Sequence, residues 1–179
     1  WIAEFEAREF QAKWACCHGD LHGCNVLVSP TDVALIDYGD VGDGPASLDP
    51  VTLELSLLFH PDAPERAGSW PSADQAKSWG DLDAYLEGCP YPEFVRQCRN
   101  WALRVAAGNR EVAVSAYSYL ARQLKYEDTD KDRALALLVT TRLAPPARLR
   151  REVLRHVHSD VANDVSYARR GDAGRGSGC

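Results

Sequence analysis

His18-Gly19-Asp20-Leu21-His22-Gly23-Cys24-Asn25 and, further on, Leu35-Ile36-Asp37-Tyr38-Gly39 are the two most informative stretches of this chain. Together they contain carboxylates and an amide, the hard oxygen groups that a magnesium–nucleotide complex requires. Asp20 and Asn25 are five positions apart in a polar loop, and Asp37 closes an apolar run twelve positions after Asn25. If the two stretches lie side by side, they form a compact site that holds magnesium and accepts a proton from a substrate hydroxyl.

The segment between these stretches predicts a β-hairpin. Residues 26–28 and 33–36 are apolar and rich in β-branched side chains, and residues 29–32 have the composition of a turn. Residues 37 to 50 are rich in glycine and aspartate and are expected to be irregular. Asp49-Pro50 then favours the start of a helix, with Asp49 as the N-cap residue, and Pro61 is expected to end that helix.

The rest of the chain predicts helices. Residues 1–14 carry apolar side chains near helical spacing and are expected to be the end of an amphipathic helix. Further helices are expected over about 74–87, 93–107, 111–126 and 131–143, followed by a basic helix near 148–155. Gly108-Asn109 is expected to form a C-cap between two of them. The predicted fold class is α/β, mainly helical, with a small hairpin set into a helical lobe.

Composition restricts the classes of protein to consider. The chain has 179 residues, 45% apolar and 26% charged, which suits one globular domain with a sizeable core. A net charge of −6 argues against a nucleic-acid partner, and the absence of a long apolar run argues against a membrane partner. Six cysteines without C-x-x-C spacing favour free thiols over disulfides or zinc, and a cytoplasmic location. The lack of methionine suggests a piece of a longer chain.

The two stretches match a pattern known from phosphoryl transfer. Protein kinases use Asp-x-x-x-x-Asn in the catalytic loop and a following Asp-x-Gly for a metal ligand. Residues 18–27 followed by 36–40 resemble the aminoglycoside phosphotransferase and choline-kinase-like family of the protein-kinase-like superfamily. The resemblance implies that Asp20 is the catalytic base. It also implies that Asn25 and Asp37 bind Mg²⁺ together with ATP or GTP.

Four further residues are expected to support this site. The resemblance implies that His18 braces the catalytic loop and that Asp49 caps a helix and ties back to the loop. His22 flanks Asp20, and loop bracing is the expected role because no third histidine lies nearby in the sequence. Asp40 is either an indirect support for the metal ligands or a plain turn residue.

The resemblance also implies a domain organisation. Residues 1–170 are expected to be a kinase-like C-terminal lobe with a catalytic-loop hairpin, without its N-terminal lobe, and residues 171–179 a flexible tail. The expected partners are a nucleoside triphosphate, a small molecule that bears a hydroxyl, and the N-terminal lobe of the parent chain. The isolated piece is expected to be a poor catalyst. Residues 119–126 also resemble phosphotransferase-like domains of bacterial multi-domain signalling or conflict proteins.

Two alternatives remain open. One is a catalytically inactive kinase-like scaffold within a larger protein, which the missing lobe favours and the intact Asp20, Asn25 and Asp37 disfavour. The other is a binuclear metallophosphoesterase, because residues 19–23, 39–43 and 108–111 faintly resemble its three signatures. Arg110 stands where the third signature needs a histidine, which makes this alternative remote.

Overall fold

The structure is a computed structural model that describes residues 2–143. The strands come early in the chain: β1 (Trp14–Cys17), β2 (Val26–Val28), β3 (Val33–Leu35) and β4 (Gly42–Pro45). The helices are α1 (Ile2–Glu6), α2 (Leu48–Phe59), α3 (Ala73–Ala76), α4 (Leu82–Tyr85), α5 (Pro92–Val105), α6 (Asn109–Gln123) and α7 (Lys131–Leu143). The basic segment near 148–155 and the tail at 171–179 lie outside the described residues.

The four strands form two antiparallel pairs, one nested inside the other in sequence. The inner pair joins β2 to β3, with Val26 opposite Leu35. The outer pair joins β1 to β4, with Cys17 opposite Gly42. Because the outer pair closes around the inner one, the connecting segments 18–25 and 36–41 face each other. Strand pairing therefore brings together the two polar stretches that the sequence singles out.

The N-terminal segment differs from the prediction. The expected helix over residues 1–14 is wrong beyond Glu6, where α1 ends, and Trp14 begins a strand instead. The Trp14 side chain is 71% exposed, so it does not belong to an apolar helical stripe. The strand forms because residues 14–17 find hydrogen-bonding partners in β4, and local apolar spacing carries no information about a partner so distant in sequence.

The segment expected to be irregular contains that partner strand. β4 has the sequence Gly-Asp-Gly-Pro, which is poor in strand-forming side chains. A Cβ at position 44 would lie 3.4 Å from both Cys17 Sγ and Leu48 Cδ2, an ordinary contact distance, so sterics do not require glycine there. Pairing with β1, rather than side-chain propensity, therefore accounts for β4.

Helix α2 begins two residues earlier than predicted. Its N-cap position is Ser47, and Asp49 lies inside the first turn, so the expectation that Asp49 is the N-cap residue is wrong. The Asp49 carboxylate bonds to backbone groups of residues 18 and 19 and not to its own helix. The other end agrees with the prediction, because His60 is the C-cap residue and Pro61 follows.

The later helices agree with the prediction in part. α7 matches its predicted range, while α5 begins one residue and α6 two residues before the predicted starts, and both end two to three residues early. The helix expected over 74–87 is instead the two single turns α3 and α4, and the second restarts where the Asp81 carboxylate accepts from the backbone N–H of Ala84. Gly108 is not a C-cap: it occupies the N-cap position of α6, and the C-cap residue of α5 is Ala106.

The helices enclose the hydrophobic core. α2 packs against α5 and α6, and α6 packs against α7. The largest fully buried apolar side chains are Tyr85, Leu55, Leu120 and Leu137. The five cysteines in residues 2–143 are free thiols, as predicted, while Cys179 lies outside this range. None of the helices in this range is long and apolar enough to cross a bilayer.

Candidate active site

Asp49 holds the start of the loop formed by residues 18–25. Its two carboxylate oxygens accept hydrogen bonds from the backbone N–H groups of His18, at 2.7 Å, and Gly19, at 3.0 Å. Bonds from an N–H group to an ionised acceptor are stronger than neutral ones. The negative charge also lies in the first turn of α2, where the helix dipole favours it. The loop is therefore fixed to the N-terminus of a well-packed helix.

His18 joins this loop to the second polar stretch. The imidazole is 6% exposed, and its Nε2 donates to the carbonyl oxygen of Ile36 at 2.8 Å. The ring also lies 5.4 Å from the ring of Tyr38, measured between centroids. His18 therefore contacts the residues on either side of Asp37 in the sequence.

Asn25 lies at the centre of the loop contacts. The side chain is 5% exposed, and its Nδ2 donates to the backbone oxygen of Asp20 at 3.0 Å. The backbone oxygen of Asn25 accepts from the N–H of Ile36 at 3.0 Å, which places Asp37 one residue beyond a direct contact. Because the amide nitrogen is already committed, the amide oxygen is the atom that remains to accept a donor or bind a cation.

Asp37 adopts an unusual backbone conformation. Its φ of 62° and ψ of 66° lie in the left-handed region, which non-glycine residues seldom occupy. Such a conformation costs about 1 kcal/mol or more, and residues held in it are concentrated at functional sites. The side chain is exposed, and a 3-10 turn over Tyr38–Asp40 follows directly. The carboxylate is thus presented to solvent at the start of a tight turn.

Gly19 lets the two stretches touch through their backbones. Its φ is +86°, and a Cβ at this position would lie only 2.3 Å from the carbonyl oxygen of Asp40. A side chain at position 19 would therefore push the 3-10 turn away from the loop. The Asp40 side chain itself is exposed.

Asp20 lines a cleft together with residues of α2 and α6. The carboxylate is 39% exposed, and its Oδ2 lies 3.7 Å from Nε2 of His22. The cleft has a volume of about 260 Å³, and Tyr119 and Arg122 of α6 form part of its wall. Burial, and after it the Asp20 carboxylate, raises the pKa of the Tyr119 hydroxyl well above its ordinary value. Tyr119 therefore remains a hydrogen-bond donor beside Asp20.

Arg122 is a cleft residue that the sequence analysis did not identify. A hydrogen bond with Tyr126 raises the pKa of its guanidinium, and the carboxylates of Asp20 and Asp40 raise it further. The cation thus lies within the electrostatic influence of both stretches. Tyr119 and Arg122 are three residues apart, so they lie on one face of α6. This spacing is visible in the sequence, but the sequence does not show that this face lies beside the loop at residues 18–25.

His22 has neighbours that the sequence did not reveal. The ring of His60, at the end of α2, lies 4.1 Å from the His22 ring, measured between centroids. Cys24 Sγ is 3.8 Å from Nδ1 of His60. Burial, followed by the neighbouring His22, lowers the pKa of His60 and favours its neutral form. The sequence near His22 contains no third histidine, but the fold brings His60 next to it.

The donor atoms of the two stretches suit magnesium. Mg²⁺ is bound in nucleotide sites by one or two carboxylates, supplemented by phosphate oxygens and water. Asp37 offers an exposed carboxylate, and Asn25 offers a neutral amide oxygen held in place by its own amide nitrogen. The residues present therefore fit the metal that the resemblance implies.

Comparison with known proteins agrees with this geometry. Residues 1–85 match the sequence model of a family described as the phosphotransferase enzyme family. The matched segment contains all four strands, the loop and α2. Members of this family are in general phosphotransferases with a protein-kinase-like fold, with which a helix-rich body and small sheets are compatible. Neither the curated proteins nor the solved structures gave a match. Residues 1–85 are thus similar to the phosphotransferase enzyme family, which confirms the resemblance carried by the two polar stretches.

Proposed function

We propose that this chain supplies the catalytic-loop side of a magnesium-dependent phosphotransferase that moves the γ-phosphoryl group of ATP or GTP to a hydroxyl of a small molecule. The observation that carries the proposal is the family match over residues 1–85, which contains both polar stretches. The direct backbone contact between Asn25 and Ile36 supports it, because residues 20, 25 and 37 then belong to one neighbourhood.

Each residue has a distinct role in the proposed reaction. Asp20 accepts a hydrogen bond, and then the proton, from the acceptor hydroxyl. Asn25 and Asp37 hold the metal, which supplies charge neutralisation for the phosphate oxygens when it is bound. His18 and Asp49 hold the loop at residues 18–25 in position. Little covalent chemistry falls to the protein in such a reaction, so positioning and electrostatics account for most of the rate.

The cleft beside Asp20 is the proposed site of the acceptor. Its wall combines hydroxyl groups from Tyr119 and Tyr126 with the charged groups of Arg122 and Asp128. These groups offer donors and acceptors in several directions, which suits a molecule with more than one hydroxyl. A wholly apolar acceptor would leave them without partners at a cost in free energy.

The strand side of the molecule supports the proposal of a further folded unit, such as an N-terminal lobe. Trp14, Val28 and Val33 are 71%, 74% and 66% exposed. Val28 and Val33 lie opposite each other in the β2–β3 pair, and Trp14 lies in β1. Exposed apolar side chains that adjoin each other are typical of surfaces that another protein segment covers. The same surface would serve the alternative function, a catalytically inactive module that docks within a larger protein.

The test is made on the full-length protein with magnesium and nucleotide. Asp20→Asn removes the base, so we expect kcat to fall by about 10²-fold to 10⁴-fold while nucleotide affinity is preserved. Asp37→Ala removes a metal ligand, so magnesium-dependent nucleotide binding should weaken sharply. Asp32→Asn is the matched control, because Asp32 lies in the exposed turn between β2 and β3.

Two results would overturn the proposal. Unchanged turnover in Asp20→Asn would exclude Asp20 as the catalytic base. Unchanged magnesium-dependent nucleotide binding in Asp37→Ala would exclude Asp37 as a magnesium ligand. A wild-type protein that binds its partners without any phosphoryl transfer would instead support the inactive module.

A further inference from the structure

His22, Cys24 and His60 form a cluster whose donor chemistry differs from that of the proposed magnesium site. One ligand atom from each of the three lies within 4.8 Å of the corresponding atoms of the other two. Imidazole nitrogen and thiolate sulfur are the ligands of zinc and similar transition metals, whereas magnesium prefers oxygen. We propose that these three residues bind a transition metal of the Zn²⁺ type, with a fourth position open to water or another ligand.

His22 is already arranged as a metal-binding histidine. Its Nδ1 is buried and has no hydrogen-bond partner among the described residues. The opposite nitrogen, Nε2, lies 3.7 Å from the Asp20 carboxylate. Histidines that bind metals commonly direct the second ring nitrogen toward a carboxylate, which fixes the ring and its tautomer. An unpaired buried nitrogen is costly, and a metal at Nδ1 would remove that cost.

Cys24 and His60 complete the cluster from two different elements. Cys24 lies in the 3-10 turn at Gly23–Asn25, and His60 follows the last residue of α2. Nδ1 of His60 accepts a hydrogen bond from the backbone N–H of Asp62 at 3.2 Å. This contact is exposed, so water can replace His60 as the acceptor if the imidazole binds a metal. The cluster can therefore bind a metal ion without leaving a buried polar group unpaired.

The cluster is accessible from solvent on two sides. His22 and His60 line the cleft that contains Asp20. Cys24 and His60 line a second cleft, of about 330 Å³, between the loop and the segment near Tyr91. A metal ion can thus approach the cluster along either cleft, and because His22 Nδ1 is itself buried, its last step needs a side-chain movement but no unfolding of the chain.

Direct metal binding tests the proposal, with a readout that does not depend on phosphoryl transfer. Zn²⁺ is titrated into the metal-free full-length protein by calorimetry in excess Mg²⁺, and Co²⁺ is titrated while the absorption spectrum is recorded. We expect one equivalent of Zn²⁺ to bind and a thiolate-to-cobalt charge-transfer band to appear. Cys24→Ser should abolish the band and weaken Zn²⁺ binding by at least about 100-fold, and His60→Ala should weaken binding similarly.

Cys16→Ser is the matched control, because Cys16 is also an exposed free thiol but lies in β1. It should leave both the band and the affinity unchanged. Circular dichroism and thermal unfolding show whether each variant is folded. Zn²⁺ binding that survives Cys24→Ser and His60→Ala, or the absence of Zn²⁺ binding in the folded wild type, would overturn the proposal. Neither result would bear on Asp20 and Asp37, whose roles are tested by turnover and nucleotide binding.

Discussion

Helix α2 carries two carboxylates with different roles, one in its first turn and one near its middle. Asp49, in the first turn, accepts hydrogen bonds from the backbone of the catalytic-loop candidate at His18 and Gly19. Glu54, further along the helix, is 1% exposed and forms an ion pair with Arg99 of α5 in the core. One carboxylate thus positions a loop at the surface, and the other joins two buried helices.

The core pair belongs to a larger network. Arg99 donates to Glu54 Oε2 from Nε at 2.9 Å and to Oε1 from Nη2 at 2.5 Å, and its Nη1 donates to the backbone oxygen of Trp79 at 2.8 Å. The Trp79 indole donates to Glu54 Oε1 at 3.1 Å, and the guanidinium lies 3.8 Å from the centre of the indole ring. Every member of this network therefore depends on the others for its hydrogen bonds.

The comparison separates stability from positioning. A buried ion pair is strongly destabilised when one partner is removed, because the remaining charge has no solvent to stabilise it. A partly exposed carboxylate bonded to backbone N–H groups costs less to replace, because water can reach those groups. We therefore expect substitutions at the core pair to affect folding and substitutions at Asp49 to affect the site.

The largest expected effect is that of Arg99→Met. Methionine keeps much of the side-chain volume but leaves Glu54 charged and unpaired in the core. We expect the free energy of unfolding, measured in urea, to fall by about 3–5 kcal/mol. Arg104→Met is the control, since Arg104 is an exposed arginine near the end of the same helix and should change stability by less than about 0.5 kcal/mol.

A double substitution sharpens this result. Adding Glu54→Leu to Arg99→Met removes the unpaired charge, so part of the lost stability should return. The recovery should be incomplete, because the Trp79 indole N–H then loses its acceptor. If the double variant is no more stable than Arg99→Met, the unpaired charge is not the cause of the destabilisation.

Glu111→Gln is expected to have an intermediate effect. The buried Glu111 carboxylate accepts from the backbone N–H groups of Lys13, Ser47 and Ala107, so it joins the entry to β1, the start of α2 and the α5–α6 turn. A glutamine offers only one oxygen and places an amide nitrogen against at least one of these donors. We expect a loss of about 2–3 kcal/mol at neutral pH.

This loss should depend on pH. Burial alone would raise the pKa of Glu111, but the backbone N–H groups of Ala107, Lys13 and Ser47 lower it more strongly, so the folded pKa lies below its ordinary value of 4.5. The contribution of the carboxylate is therefore complete above pH 4.5 and is lost as the pH falls through the folded pKa. The difference between wild type and Glu111→Gln should shrink in acid, whereas Glu127→Gln, at an exposed position, should show no such trend.

Local sequence predicted the parts of the fold that local interactions determine. The pairing of residues 26–28 with 33–35 needs only a short turn, and α5, α6 and α7 follow from the local spacing of apolar side chains. The family resemblance rests on two short motifs whose spacing is visible in the sequence. These features depend on residues close together in the chain.

The features that the sequence missed depend on distant contacts. β1 pairs with a Gly-Asp-Gly-Pro strand that has little intrinsic tendency to be one. His60 reaches His22 only because α2 runs back beside the loop that Asp49 anchors, and Arg122 faces Asp20 from a helix about one hundred residues later. The roles of Asp20, Asn25 and Asp37 remain predictions that turnover and nucleotide binding will test.

Asp49→Asn is expected to have the smallest effect on stability and the most specific effect on the site. Asparagine keeps one oxygen and turns an amide nitrogen toward a backbone N–H, so one of the two bonds to His18 and Gly19 is lost. We expect the free energy of unfolding to fall by only about 1–2 kcal/mol. Turnover should fall further than this stability loss explains, because a displaced loop misplaces Asp20 relative to Asp37.

The control for this variant is Asp43→Asn, which makes the same chemical change at an exposed position of β4. It should leave turnover and stability close to wild type. Both variants are compared in the full-length protein at a temperature where each is fully folded, so that kcat reports positioning alone. Equal turnover in the two variants would mean that Asp49 only stabilises the fold, and α2 would then carry two structural carboxylates instead of one that holds the core and one that positions the site.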